Sequence, residues 1–349
     1  MSRNAVVVGM GASGLFSSYL LAKKGWKVTV VGRGTPASAM STGCIKGQIV
    51  NDGCIEEILK MARSNGMPMT GPGTGATNLG TRFDCTLLPV HSMFSDRMPN
   101  SITVLGIGGH PSLRPRLTAS MLSGWAPKVD AMTADVEISP EMTLAATFRD
   151  EALSDRLVEV MKDAAGESIL LPPMFTLHDY MRMGELERRC GRRLMEAVTP
   201  LGIPGQRFLE MLLSSAVSSG AVVWSGRKVT SIRTNGDRAV QVEVKGGLDS
   251  RRLDMDALLL ATGGPLVDGT LLSTEGISDP FNTFQTINCP GIGGGYAHIG
   301  QRLRDRSGHE MKNAFGAGDC LCSERRSFGN GLATALDDAW MTVQAMEAL

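Results

Sequence analysis

Apolar residues run without a break from Ala5 to Val8, return as an alternating set from Lys27 to Val31, and between them follow helical spacing from Leu15 to Lys24. The short β-branched run predicts a strand buried on both faces, and the helical stretch ends in two lysines and Gly25, a C-terminal stop. Asp52 begins a second predicted helix, reaching Arg63 and closed by Asn65 and Gly66. Met67 to Thr77, rich in proline and glycine, reads as a loop. Farther on, Ile102 to Ile107 predicts a strand that Gly108, Gly109, His110 and Pro111 turn into a helix-like segment around Leu113 to Leu122. Another strand is expected at Val129 to Ile138. Leu153, Leu157, Val160, Met161 and Ala164 then recur at helical spacing, followed by predicted helices from Gly184 to about Val198 and from Gly205 to Ser219.

A second block of strand patterns follows. Val229 to Arg233 and Ala239 to Val244 flank Asn235, Gly236 and Asp237, a hairpin turn. Asp256 to Thr262 is a buried-strand pattern closing on Thr262, Gly263 and Gly264, and Asn313 to Asp319 is a short strand ending in Gly318 and Asp319. From Gly329 to Leu349, Leu332, Leu336, Ala339 and Val343 mark one face of a last helix.

Chemistry enters at the first turn. Gly9, Gly11 and Gly14 stand in a GxGxxG spacing between the first strand and the first helix, where one glycine permits a sharp turn, the next a close approach to pyrophosphate and the third tight helix packing. With Ala12 and Ser13 they offer the amides of a helix N-terminus to negative charge. The acid that usually holds an adenosine ribose at the end of the second strand is missing, and Gly32 and Arg33 stand there. That leaves open a phosphate on Arg33, as NADP would place it, or a flavin whose adenosine half is held differently or absent. Ser38, Ser41, Thr42 and Gly43 read as a loop along an extended cofactor. GxGxxG, then Thr262 and Gly263, then Gly318 and Asp319, in this order, predict an α/β fold of the two-dinucleotide-binding-domain, Rossmann-like type that binds FAD or FMN. Residues 1–95 and 221–349 form the expected flavin domain, and 96–220 an inserted α+β substrate or cap domain.

Composition narrows this a little. The 349 residues carry 35 basic and 35 acidic side chains, so electrostatics imply no nucleic-acid partner. The uncharged stretch from Asn4 to Ala22 has glycine spacing foreign to a signal peptide or a membrane span. Seven cysteines without framework spacing predict reduced thiols in a cytoplasmic protein, with Cys320 and Cys322 as packing residues. No metal site is expected.

VVVGMGASGL with VVGRGTPASAMSTG, then VLGIGGHPSLRPRLTASML, ILLPPMFTL, PGQRFLEMLLSSAVSSGAVVWSGRKV and NAFGAGD together resemble the B subunit family of anaerobic glycerol-3-phosphate dehydrogenase over nearly the whole chain. In that family the strand-end carboxylate is also lacking, and the B subunit is described with FMN. The resemblance implies a flavoprotein subunit that acts with an A-type FAD subunit and an iron-sulfur C-type subunit, on the inner face of a membrane through those partners, and delivers electrons toward quinone. It departs from the bacterial pattern in CLCSERRSFGNG after Asp319. The implied reaction, oxidation of sn-glycerol 3-phosphate to dihydroxyacetone phosphate, needs a proton acceptor, for which His110 and His298 are the loop candidates. The substrate phosphate calls for guanidinium groups such as Arg114, Arg116, Arg325 or Arg326. Two other readings stay open: a stand-alone FAD oxidoreductase of the fumarate-reductase flavoprotein type, and an assembly subunit with a vestigial flavin site.

Overall fold

The computed structural model describes residues 2–94, 98–108, 112–136, 151–267, 269–274, 276–288, 294–323 and 329–349. Its helices are α1 (Ala12–Lys23), α2 (Asp52–Ser64), α3 (Pro115–Leu122), α4 (Glu151–Lys162), α5 (Arg182–Cys190), α6 (Ile203–Ser218) and α7 (Gly331–Glu347). The strands of the larger sheets are β1 (Asn4–Val8), β2 (Lys27–Gly32), β3 (Ile102–Ile107), β4 (Val129–Ala134), β5 (Ser168–Leu171), β6 (Arg193–Glu196) and β7 (Val222–Ser225), then β8 (Lys228–Asn235), β9 (Arg238–Gly246), β10 (Asp249–Asp254), β11 (Ala257–Leu260), β12 (His298–Ile299), β13 (Arg302–Arg304) and β14 (Glu310–Gly316). Two compact units emerge: Met1–Ala39, Gly47–Ile58 and Leu212–Leu349 in one, Met40–Lys46 and Leu59–Met211 in the other.

In the first unit a seven-stranded sheet runs β7-β2-β1-β11-β14-β13-β12. Its first five strands are parallel, and β13 runs antiparallel to both its neighbours, β14 and β12. Alternate residues of β1 and β11, namely Val6, Val8, Leu258 and Leu260, share a core with Val229, Ile232, Ala239, Val242 and Val244 of the antiparallel β8-β9-β10 sheet. On the other side α1 packs with α7. Cover on both faces is why β1 and β11 read as unbroken apolar runs. Asn313 of β14 locks the two layers: its side chain accepts the Ala239 N–H at 2.8 Å and donates to the Ala239 and Asp256 carbonyls at 2.8 and 2.7 Å.

The second unit builds its own four-stranded parallel sheet, in the order β6-β5-β3-β4. Ile102, Val104, Leu113, Leu122, Leu170 and Met195 share its core. Beneath it lies a fully buried ion pair, Arg207 Nη2 to Glu196 Oε2 at 2.7 Å. Glu196 Oε1 accepts the Met174 and Phe175 amides, Arg207 donates to the Phe175 carbonyl, and its guanidinium lies 4.3 Å from the Tyr180 ring centre. Every charge there has a partner, the condition under which burial is tolerated.

Two expectations are corrected. The helix expected from Gly184 to Val198 is only half a helix: α5 ends on Gly191 in the left-handed region (φ +67°), and Arg193–Glu196 is strand β6. The cysteines are not all reduced packing residues. Cys44, Cys54, Cys85, Cys190 and Cys320 are free, but Cys322 is disulfide-bonded.

Candidate flavin-binding rim

Three turns leave the carboxyl ends of adjacent parallel strands β1, β11 and β14, and each is tied by a backbone hydrogen bond to the neighbouring strand. Gly9 N–H donates to Val31 O at 2.8 Å, Ala261 N–H to Val8 O at 2.8 Å, and Ala317 N–H to Leu260 O at 2.9 Å. The rim so formed lies where chain direction across the sheet reverses, from β1 outward to β2 on one side and to β11 on the other, the position at which open α/β sheets bind ligands.

Steric detail separates the glycines. A Cβ on Gly9 (φ +124°) would stand 2.0 Å from Ala261 O, and one on Gly14 2.1 Å from Gly9 O, so both glycines are demanded by the packing of the protein itself. Gly11 is different: its nearest neighbours are Ser38 Oγ at 3.4 Å and the Pro36 Cβ at 3.7 Å, ordinary contacts. The fold has room for a side chain there, and the bare position is explained by a ligand that approaches the backbone. Gly318 (φ +73°) comes against Ser13, with its Cβ position 2.6 Å from Ser13 Oγ, and Gly264 lies against the Asp319 backbone. Gly9, Gly11, Ala12, Ser13, Gly14, Thr262, Gly263, Gly318 and Asp319 are thus assembled on one rim, with Asp319 partly exposed. First-turn amides of α1, which have no partner within the helix, and a carboxylate at the β14 end suit the phosphates and ribityl hydroxyls of a flavin cofactor.

The Ala12 amide is already engaged, donating to Ser38 Oγ at 2.9 Å, so Ser38 is a residue of this site that the pattern of glycines does not single out. Arg33 is exposed beyond the end of β2. Ser41, Thr42 and Gly43 belong to the second unit, where Ser41 Oγ accepts the Gly43 amide at 3.2 Å and Thr42 Oγ1 the Cys44 amide at 3.3 Å. These hydroxyls shape their own loop. Arg114 and Arg116 are exposed at the start of α3, also in the second unit. His110, Arg325 and Arg326 lie outside the described residues.

His298, on β12, is half-buried. Its Nε2 is 2.9 Å from the Cys322 carbonyl, which can only accept, so Nε2 carries the proton. Nδ1 is then a bare acceptor, buried and without a hydrogen-bond partner among the described residues. Through the His298–Cys322 hydrogen bond, and through the Tyr296–Leu321 bridge just before it, this stretch of chain is fastened to the segment that follows Asp319.

Among solved structures, the chain is similar to THI4 of Thermovibrio ammonificans (12% identity, 99% of this chain and 89% of that one, TM-score 0.42) and to the GidA-related protein of Thermus thermophilus (9% identity, 100% and 99%, TM-score 0.42). It is also similar to the flavin-dependent brominase Bmp2 (12% identity, 77% of this chain, TM-score 0.32), of whose length it spans 41%. No curated protein matches the chain. Residues 4–283 match the DAO family, described as FAD dependent oxidoreductase, and this match takes in the glycine turn and the Thr262–Gly263 turn. A match that spans most of the sequence and takes in two of the three turns of the rim places the chain in the family of FAD-dependent oxidoreductases, with an FAD-binding Rossmann-type α/β fold.

Proposed function

We propose that the chain is a flavin-dependent dehydrogenase subunit that oxidises sn-glycerol 3-phosphate or a closely similar hydroxy compound. Its electrons then pass to an A-type flavoprotein and an iron-sulfur C-type partner, and on to quinone. The observation that carries the flavin half of this reading is the assembly of the three turns on one rim, with Gly11 bare although the protein leaves room for a side chain there. The substrate half rests on the resemblance of VVVGMGASGL, ILLPPMFTL and NAFGAGD to the B subunit of anaerobic glycerol-3-phosphate dehydrogenase.

Turning a secondary hydroxyl into a ketone removes a proton from oxygen and a hydride from carbon. A bound flavin supplies the hydride acceptor. Amides at the α1 N-terminus would hold its phosphates, and Asp319 would accept from its hydroxyls. His298 takes the proton at Nδ1, because its Nε2–H is committed to the Cys322 carbonyl and fixes the tautomer that leaves Nδ1 basic. No helix among the described residues is long and apolar enough to cross a membrane, which fits delivery of electrons through partner subunits.

Anaerobic addition of sn-glycerol 3-phosphate to the flavin-loaded protein tests the reading. The flavin absorption band is expected to bleach, with dihydroxyacetone phosphate formed in step. His298→Gln should slow bleaching about a hundredfold or more while flavin content is unchanged. A band that persists with sn-glycerol 3-phosphate and with other short hydroxy acids refutes the dehydrogenase assignment.

A further inference from the structure

Past the second turn of the rim, at residues 262–264, the chain folds back within a few residues. Gly269 N–H donates to Gly264 O at 3.2 Å, and Thr262 Oγ1 donates to Gly269 O, also at 3.2 Å. The approach is close enough to require a glycine: a Cβ on Gly269 would stand 1.9 Å from Gly263 O. Thr270 comes next, so its backbone is fixed beside a turn that in turn meets Asp319, whose carbonyl oxygen is 3.4 Å from a Cβ built on Gly264. Thr270 is 1% exposed, and its Oγ1 has no hydrogen-bond partner among the described residues. A buried hydroxyl left unpaired is a net loss to the folded protein, and a methyl group of the same shape would avoid it. The threonine that the turn motif singles out, Thr262, commits its own hydroxyl inside the protein.

We infer that Thr270 is a cofactor-binding residue, whose hydroxyl pairs with a polar atom on the riboflavin half of the FAD held at the rim. This rests on the flavin-site reading above. A hydroxyl both donates and accepts, which suits ribityl hydroxyls and the ring carbonyls alike. The riboflavin half is the one concerned because the turn beside Thr270 packs against Asp319, where the ribityl chain belongs. Thr262 is then a positioning residue, which holds the Gly269 carbonyl and with it the start of Thr270. The hydroxyl is a burden on the flavin-free protein and an asset to the loaded one, so its removal acts with opposite sign on the two.

Thermal melts of the flavin-free protein, beside fluorescence-quenching titrations with FAD and with FMN, test it. Thr270→Val keeps the shape and removes the hydroxyl. Without flavin it should melt above the wild type by about 1 °C or more, because an unpaired polar atom has left the interior. It should also bind FAD and FMN more weakly by the same factor, about fivefold or more, the worth of one hydrogen bond. Thr270→Ser, which keeps the hydroxyl, should bind FAD within about threefold of the wild type. A flavin-free Thr270→Val protein that melts no higher than the wild type, flavin affinity equal to the wild type, or a weakening confined to FAD each overturns the inference. Should Thr270→Val fail to fold, Thr270→Ser and Thr270→Ala decide: weaker FAD binding in Thr270→Ala alone supports it, and equal binding overturns it. A wild type that takes up neither flavin overturns the flavin site itself, a result distinct from all of these.

Discussion

At the scale of single residues, the glycines of the first turn divide into those the protein needs and one the ligand needs. Gly14→Ala would drive a methyl group into the Gly9 carbonyl and should destabilise the protein by about 3 kcal/mol, the upper range for overpacking against a rigid neighbour. Gly11→Ala meets only ordinary contacts, so the flavin-free variant should melt with the wild type and yet bind FAD at least about tenfold more weakly, for a loss of roughly one good hydrogen bond. Thermal melts of stripped protein beside FAD titrations check both. Equal FAD affinity in wild type and Gly11→Ala would leave the bare position unexplained. The spacing of the three glycines was legible in the sequence, but their division was not, because it depends on Ala261 and Ser38, which only tertiary structure brings alongside.

At the scale of elements, the joint between α5 and β6 shows how polar contacts redirect a helical pattern. Glu187 Oε1 accepts the Leu194 amide at 2.8 Å and lies 3.6 Å from His91 Nδ1. Partial burial pushes the Glu187 carboxyl upward, but the His91 hydrogen bond, the Leu194 amide and the charges of His91 and Arg193 outweigh it and hold the group below its ordinary value. A depressed carboxylate contributes stability that is complete above its unfolded pKa and is lost as pH falls through the lower folded one. Glu187→Gln should therefore lower stability at neutral pH and flatten the acid limb just below the usual glutamate range, so that the difference from the wild type shrinks as pH falls. Urea titrations across that range measure it, and an unchanged acid limb would contradict the role given to this contact. The strands and helices whose apolar pattern is long, β1, α1, β2, β8, β9 and α7, are legible because both faces or one clean face are buried. β6 was hidden within a helical pattern that Gly191 cuts short. β10, reading DSRRLD and mostly exposed at the edge of its sheet, has no hydrophobic signal at all and is a strand only because β9 offers it a partner.

At the scale of the whole molecule, two units of different design share one chain. The first carries the rim, and within it the order of turns in the sequence, GxGxxG, then TGG, then AGD, becomes spatial adjacency because β1, β11 and β14 are neighbours in the sheet. That is why a motif order could announce the FAD-dependent family. The second unit was legible only as alternating elements, since its short buried strands are separated by segments whose patterns fit several folds. Its covered ion pair, Arg207 with Glu196, was invisible in a sequence where both residues stand among ordinary surface types.

A crystal structure of the chain with FAD tests the central claim most directly. The phosphates are expected within hydrogen-bonding distance of the Gly11 and Ser13 amides at the start of α1, and the ribityl chain beside Asp319. FAD bound away from the ends of β1, β11 and β14, or protein that crystallises without taking it up at saturating concentration, would contradict the account.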